Sequence, residues 1–485
     1  MPRVKFNSVQ FLVFFPVVAT LFYILPQKWR WILLLAASYL FYLSWNAKYA
    51  IVLLIVTALG YAVGLWLNRQ DDPGTRRLIL NLGLAALVSV LFFFKYFNQA
   101  NHLFQVLFGA DVLPRIHVVL PLGISFFTLQ TISYIIDTYR GVALPEKHAG
   151  IFALFIAFFP QLTAGPIPRA NHLLPQFYES HAADYEKIVT GLQRMAWGFF
   201  KKLVIADRLA LLVNTVYGEP SSYSGAVLIL VTYAFAFQIY CDFSGYADIA
   251  IGAARVLGFH LQENFQQPYY AQSIIDFWRR WHISLSNWLR DYIYYPMSRA
   301  LQRSRLRSKN ILGLVLPPIA TMLVSGLWHG NHWTFLVWGA LHGLFMVISV
   351  LTSRWKNHVQ LPFRLPSKLA AGLKIFGTFN LVSFAWIFFR ANTMYDAMYI
   401  VGHLFVNPKV PSSQIIPGGR YEWMIALLAL LLMEAVYWMQ ERNGNLRTVI
   451  LRQPTWLRWT VYYGLIVIIF MFGKFGANEF IYSRF

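Results

Sequence analysis

ILGLVLPPIATMLVSGLWHGNHWTFLVWGALHG, residues 311–343, is the stretch whose reading decides the fold. Two apolar runs meet at Trp328, His329, Gly330, Asn331 and His332. That joint is too short for an ordinary loop, so the pattern predicts two helices folded back on each other. It also sets imidazoles, His329 and His332 with His342 beyond, in apolar surroundings. A second dense stretch, DFWRRWHISLSNWLRDYIYYP (residues 276–296), carries His282. These two segments are expected to meet around a buried reaction centre inside a membrane.

The chain has 485 residues, 58% of them hydrophobic and 13% charged. Soluble domains carry about a quarter charged residues, so this surface faces something other than water. Windows of about 20 apolar residues recur, each long enough to cross a bilayer as a helix. Lipid leaves helix bundles or closed barrels, and runs without period-2 alternation select helices. The expected fold is an all-α polytopic membrane protein, one domain over residues 1–485. It should hold roughly 11–13 transmembrane helices plus re-entrant or interfacial helices. The formal charge of +21 lies in Lys and Arg between the apolar runs. Loop bias and anionic headgroups account for that placement better than nucleic acid does. The lone Cys241 excludes an internal disulfide and a multi-Cys metal site. The N-terminal run has no small-residue cleavage site and reads as a retained first span.

Residues 10–25, 31–45, 51–67 and 78–97 read as lipid-facing scaffold. VVLPLGISFFTLQTISYIIDTYRG (118–141) mixes small and hydroxylic residues into its apolar background, which predicts an interior helix with a start broken at Pro121 and Gly123. FFPQLTAGPIPR (158–169) has too many prolines for a continuous span and reads as re-entrant or headgroup-level backbone. GLQRMAWGFFKKLVIADRLALLVNTVY (191–217) carries Arg194, Lys201, Lys202 and Arg208 on an apolar helix, the pattern of a basic helix lying against headgroups or, as the alternative, meeting an anionic cofactor. QIYCDFSGYADIAIGAARVLGF (238–259) ends an apolar run with Gln238, Tyr240, Asp242, Ser244, Tyr246 and Asp248. Its two carboxylates are six positions apart and do not share a helical face. Asp242 is expected to orient a neighbour or hold Arg255 or Arg279, with Gly245 breaking the helix. On a helix starting near Ser273, His282 would share a face with Ser286 and Arg279, and Asp276 would pair with Arg279 or Arg280. Arg299, Arg303, Arg305, Arg307 and Lys309 precede the hairpin, and Arg354, Lys356, Arg364 and Lys368 follow it. Both flanks therefore read as cytoplasmic, which puts His329 at the far end of the pair, or partway down the membrane where the helices are sunk below the outer surface. Residues 376–389, 424–438 and 461–472 read as further spans, separated by a loop at 407–420 and a basic loop at 441–458.

His329 and His332, at i and i+3, could share a ligand face, but no Cys or carboxylate follows at ligand spacing. Acid/base chemistry is the better reading. A desolvated imidazole stays neutral and can take a proton from a hydroxyl. Trp328 would wall that site against water, and Gly330 would let backbone or ligand pass close.

In SGLWHGNHWTFLVWGALHG, DFWRRWHISLSNWLRDYIYYP, QIYCDFSGYADIAIG and FFPQLTAGPIPR the chain resembles the membrane-bound O-acyltransferases, most closely the bacterial branch that serves alginate O-acetylation. The branch's aromatic FIYFxF-like tail is FIYSRF here, with Ser483 where an aromatic often stands. The resemblance implies an enzyme of the bacterial cytoplasmic (inner) membrane. It would move acetyl from cytoplasmic acetyl-CoA to an extracytoplasmic hydroxyl, on a polysaccharide such as alginate or on a partner protein. An SGNH-type periplasmic or surface partner is implied, with no bound cofactor and no metal. His329 would match the family's essential histidine and His282 its second polar position. Around them Trp328, Asn287, Asp291, Asp242, Ser244, Gln238, Tyr240 and Arg279 are the candidate substrate and donor contacts. The competing class is a non-enzymatic conduit or scaffold for polysaccharide export, which leaves the clustered imidazoles unexplained.

Overall fold

A computed structural model describes residues 4–108, 118–303, 310–356, 366–406, 419–444, 446–476 and 480–481. Every regular element among them is helical. Among the described residues eight helices are long and apolar enough to cross a membrane, running from Ala47–Arg69 to Thr455–Phe472. The chain is thus an all-α, multi-pass membrane protein. Fewer helices reach spanning length than the expected eleven to thirteen. Val9–Ile24, Gln27–Leu43 and Ile124–Tyr139 hold 16, 17 and 16 residues, or about 24–26 Å at the α-helical rise. That falls short of the hydrocarbon core, about 30 Å thick. Of the basic loop residues, Arg305, Arg307, Lys309 and Arg364 lie outside the described residues, as do the loop 407–418 and tail residues 482–485.

The chain separates into two compact units. One comprises Met1–Met195, Tyr246–Gln262 and Tyr482–Phe485, the other Ala196–Gly245 and Glu263–Ile481. In the first unit, Gly123 adopts φ +74° and starts the helix Ile124–Tyr139. A Cβ there would lie 2.5 Å from the Leu162 carbonyl oxygen, so both the dihedral and the close approach require glycine. All of that helix but Ile136 and Tyr139 is buried, as its small and hydroxylic residues predicted. The proline-rich stretch forms only a short helix, Phe159–Leu162, and then irregular backbone. Residues 161–168 are nonetheless buried, so this backbone is covered by protein rather than laid in the headgroups. Gln130 and Gln161 both donate to the Phe155 carbonyl, at 2.7 and 2.9 Å. Asp248 pairs with Arg194 at 2.9 Å.

The second unit overturns three expectations. The basic segment does not lie against headgroups, because Lys201 and Lys202 are 2% and 3% exposed. The helix Tyr185–Phe199 continues as a π-helix over Phe200–Ala206 before Asp207–Gly218. A π segment accommodates an extra residue, and side chains after it are rotated away from the positions a pure 3.6-residue period assigns. Buried cations need partners, and they have them. Lys202 Nζ donates to Asp207, at 2.9 Å, and to Asp242. Lys201 Nζ donates to Ser244 Oγ at 2.8 Å. Arg208 pairs with Glu422 and donates to the Phe472 carbonyl. Asp242 therefore holds Lys202, not Arg255 or Arg279. Nor does Gly245 break its helix, which runs unbroken over Gly225–Val256. Gly245 serves close packing instead, since a Cβ would lie 2.8 Å from the Gly198 carbonyl.

Candidate active site

The hairpin forms as its sequence predicts. Helices Asn310–His329 and Trp333–Lys356 are joined by Gly330, Asn331 and His332 alone. Their contact is backbone-close: Cβ atoms on Gly326 and Gly339 would each lie 2.4 Å from a carbonyl oxygen of the facing helix, those of Phe335 and Met322. Small residues at such a seam let helices approach without lipid between them. His329 is the last residue of the first helix and is 3% exposed. Its ring is enclosed edge-on by Trp328 at 4.8 Å, Trp338 at 5.0 Å and Phe389 at 5.1 Å. Phe389 comes from the helix Ser367–Arg390. His332 lies in the joint, is exposed, and shares no helical face with His329. Among the described residues no three His, Cys, Asp or Glu side chains converge as a metal site would require.

His282 arrives differently from its expected place on a continuous helix. The segment splits into Ile274–Arg280 and Ile283–Leu289, and His282 sits between them at φ +42°, ψ +54°. Left-handed backbone is uncommon for a residue with a Cβ and needs support from its surroundings. Asn264, fully buried, supplies it. Its carbonyl accepts from the Ile283 N–H at 2.9 Å, and its Oδ1 accepts from the Ser284 N–H at 3.1 Å and the Ser284 hydroxyl at 2.9 Å. The same Oδ1 lies 3.2 Å from His282 Nδ1. An oxygen already receiving a backbone N–H fixes the direction of that bond. Nδ1 carries the proton, and Nε2 presents the lone pair. Burial pushes the His282 pKa down to about 3, so the ring is neutral at any physiological pH. Asp276 pairs with Arg280, as expected, at 3.0 Å.

Trp328 links the two imidazoles, its ring 4.8 Å from that of His329 and 6.1 Å from that of His282. Phe243 backs His282 from the long helix at 4.6 Å. His342 stands further along the hairpin and is fully buried. The Trp278 indole N–H donates to its Nδ1 at 3.3 Å, which leaves the proton on Nε2. Trp338 lies between His329 and His342, 5.0 Å from each, and stacks on Trp386 at 5.8 Å. The N–H groups of Trp338 and Trp386 and Nε2 of His342 are buried with no acceptor among the described residues.

His329, Trp328 and His282 are thus brought together. Several of the other candidates lie on the long helix that carries Phe243. Asp242 accepts from Lys202 and from the Ile481 N–H at 2.7 Å, and Ser244 accepts from Lys201. The Tyr240 hydroxyl donates to that of Tyr437 at 2.8 Å, and its ring lies 6.3 Å from Trp281. Gln238 is buried on the same helix. Asn287 is half-buried, Asp291 is half-buried beside Arg290 at 3.1 Å, and Arg279 is exposed. Cys241 packs against Met433, S to S 3.5 Å. Asn264 does not stand out in the sequence. The signal available was a polar side chain just ahead of the polar-aromatic segment, and nothing local marks what it holds.

Residues 148–389, which contain the hairpin and His282, match the family model of the membrane-bound O-acyltransferases. A probable alginate O-acetylase of Pseudomonas putida is 38% identical over 409 residues, covering 82% of this chain and 80% of that protein. A peptidoglycan O-acetyltransferase of Helicobacter pylori is 35% identical over 404 residues, 78% of this chain and 73% of its own. A teichoic acid D-alanyltransferase of Bacillus subtilis is more distant, 27% identical over 278 residues, 55% of this chain and 68% of its own. A buried imidazole at the closed end of a membrane hairpin with a second beside its indole neighbour, likeness along four-fifths of the chain, and the family match lead to one conclusion: the protein belongs to the membrane-bound O-acyltransferase family and is an O-acyltransferase.

Proposed function

We propose that this chain, working as one unit over residues 1–485 in a bacterial inner membrane, transfers an acetyl group from cytoplasmic acetyl-CoA. The acceptor is a hydroxyl on an extracytoplasmic polysaccharide, alginate-like by kinship, or on an SGNH-type partner protein that completes the transfer. One observation carries the reading: two buried imidazoles touch the same indole at the closed end of a membrane hairpin. His329 acts as general base. It takes the proton of the accepting hydroxyl as the oxygen attacks the thioester carbonyl. The C–O bond forms, the C–S bond breaks, and the thiolate leaves with the proton from the imidazolium, giving ester and free thiol. His282 is neutral with Nε2 as acceptor, so it holds an N–H or O–H of a substrate rather than an oxyanion. Negative charge on the carbonyl oxygen needs a donor instead. The Trp338 indole N–H, on the ring beside His329, is suited to that task. Trp328 excludes water between the two imidazoles. Asn287, Gln238, Tyr240, Ser244, Asp242, Asp291 and Arg279 remain candidate contacts for the rest of the donor or acceptor.

The test is transfer of labelled acetyl from acetyl-CoA to alginate oligosaccharide or partner protein, across proteoliposomes holding the full chain. His329→Ala should lower transfer by roughly 100- to 10,000-fold with the protein still folded. A variant that still moves the label at the wild-type rate would remove His329 from the base role.

A further inference from the structure

Away from the histidines, the second unit holds a groove of about 290 Å³ lined by Phe237, Tyr269, Tyr270, Phe376, Phe379 and Glu434, with Gly372 and Ile375 on its wall. Three of its rings pack edge to face: Phe237 on Tyr269 at 5.8 Å and Tyr269 on Phe379 at 5.1 Å. Phe376 is 66% exposed, and Gly372 opens on free space. Two walls come from the helices Ser367–Arg390 and Gly419–Asn443, both of spanning length and apolar on their outer faces. A groove between such helices opens sideways into lipid, so its occupant comes from the bilayer.

Glu434 says which part of a lipid enters. It lies within the span Tyr421–Arg442, where a carboxyl group is costly and needs a partner. Its hydrogen bond is to the Tyr270 hydroxyl at 2.8 Å, and among the described residues no Lys, Arg or His pairs with it. A carboxylate beside several aromatic faces is the chemistry that takes an ammonium group, by charge and by cation–π attraction. The position along the helices agrees. Glu434 precedes the end of its helix at Asn443 by nine residues, about 13 Å, and Gly372 follows the start of its own at Ser367 by five, about 8 Å. Lys368 and Lys374, on the same stretch of helix as Gly372, are exposed.

We propose that this groove binds the headgroup of an ethanolamine phospholipid, its ammonium on Glu434 and the surrounding rings. The experiment is native mass spectrometry of the purified full chain with dioleoylphosphatidylethanolamine or dioleoylphosphatidylglycerol added. Wild type should retain the ethanolamine lipid over the glycerol lipid by roughly tenfold. Glu434→Gln should abolish that preference. Gly372→Leu should abolish it too, by filling the groove from a position where a new side chain meets nothing, and it decides the matter should the Gln variant misfold. Persistence of the preference in either folded variant overturns the proposal. So does equal retention of both lipids by wild type, which would make the groove a plain acyl-chain slot.

Discussion

Removing one oxygen should both loosen the site and slow it. In Asn264→Ala the acceptor that holds the Ser284 N–H, the Ser284 hydroxyl and His282 Nδ1 disappears from a fully buried position. Each buried donor left without an acceptor costs roughly 1–3 kcal/mol. The hydroxyl can re-aim and the other two cannot, so the expected loss of stability is on the order of 3 kcal/mol. The second consequence is chemical. His282 keeps left-handed backbone and one tautomer because Asn264 supports both, and without it Nε2 is no longer held as the acceptor. Removing a group that orients a functional imidazole lowers activity roughly 10- to 100-fold in metal sites, and a similar drop in kcat is expected here. Asn264→Asp keeps an acceptor but adds a charge beside Nδ1, which favours the imidazolium and raises the His282 pKa from about 3. Its transfer rate should then acquire an acidic dependence that wild type lacks. The assay is acetyl transfer in proteoliposomes from pH 5 to 8, with thermal unfolding of the same preparations. An Asn264→Ala protein that loses stability yet keeps full kcat would refute the orienting role and leave Asn264 a packing residue.

Further outcomes follow from other parts of the molecule. Lys202→Met leaves Asp207 and Asp242 buried without their shared cation and should destabilise the protein by roughly 3–5 kcal/mol, read by thermal unfolding. His332→Ala should transfer acetyl at close to the wild-type rate, because the ring is exposed in the joint; a loss as large as that of His329→Ala would revive a paired-histidine site. His282 stays neutral in the folded protein down to about pH 3, whereas the unfolded chain charges it below about 6.5. Its contribution is fully present above 6.5 and is lost as pH falls toward 3. His282→Gln should therefore lose roughly 2 kcal/mol less stability than wild type between pH 7 and pH 5, measured by denaturation at both values.

Apolar content and local period are enough to read off the membrane class, the helical fold and the hairpin. The sequence also singled out His329, Trp328 and His282, since imidazole and indole clustered in so apolar a background are conspicuous without coordinates. Tertiary structure decided what these residues meet. His282 leaves helical geometry because Asn264, eighteen positions earlier, offers an acceptor there. Lys202 turns inward because Asp242, forty positions later, meets it across the fold. No local pattern encodes such pairings. A lysine on an amphipathic helix has the same neighbours in sequence whether it faces a headgroup or a buried carboxylate, and only the packed fold chooses between them by supplying the opposite charge.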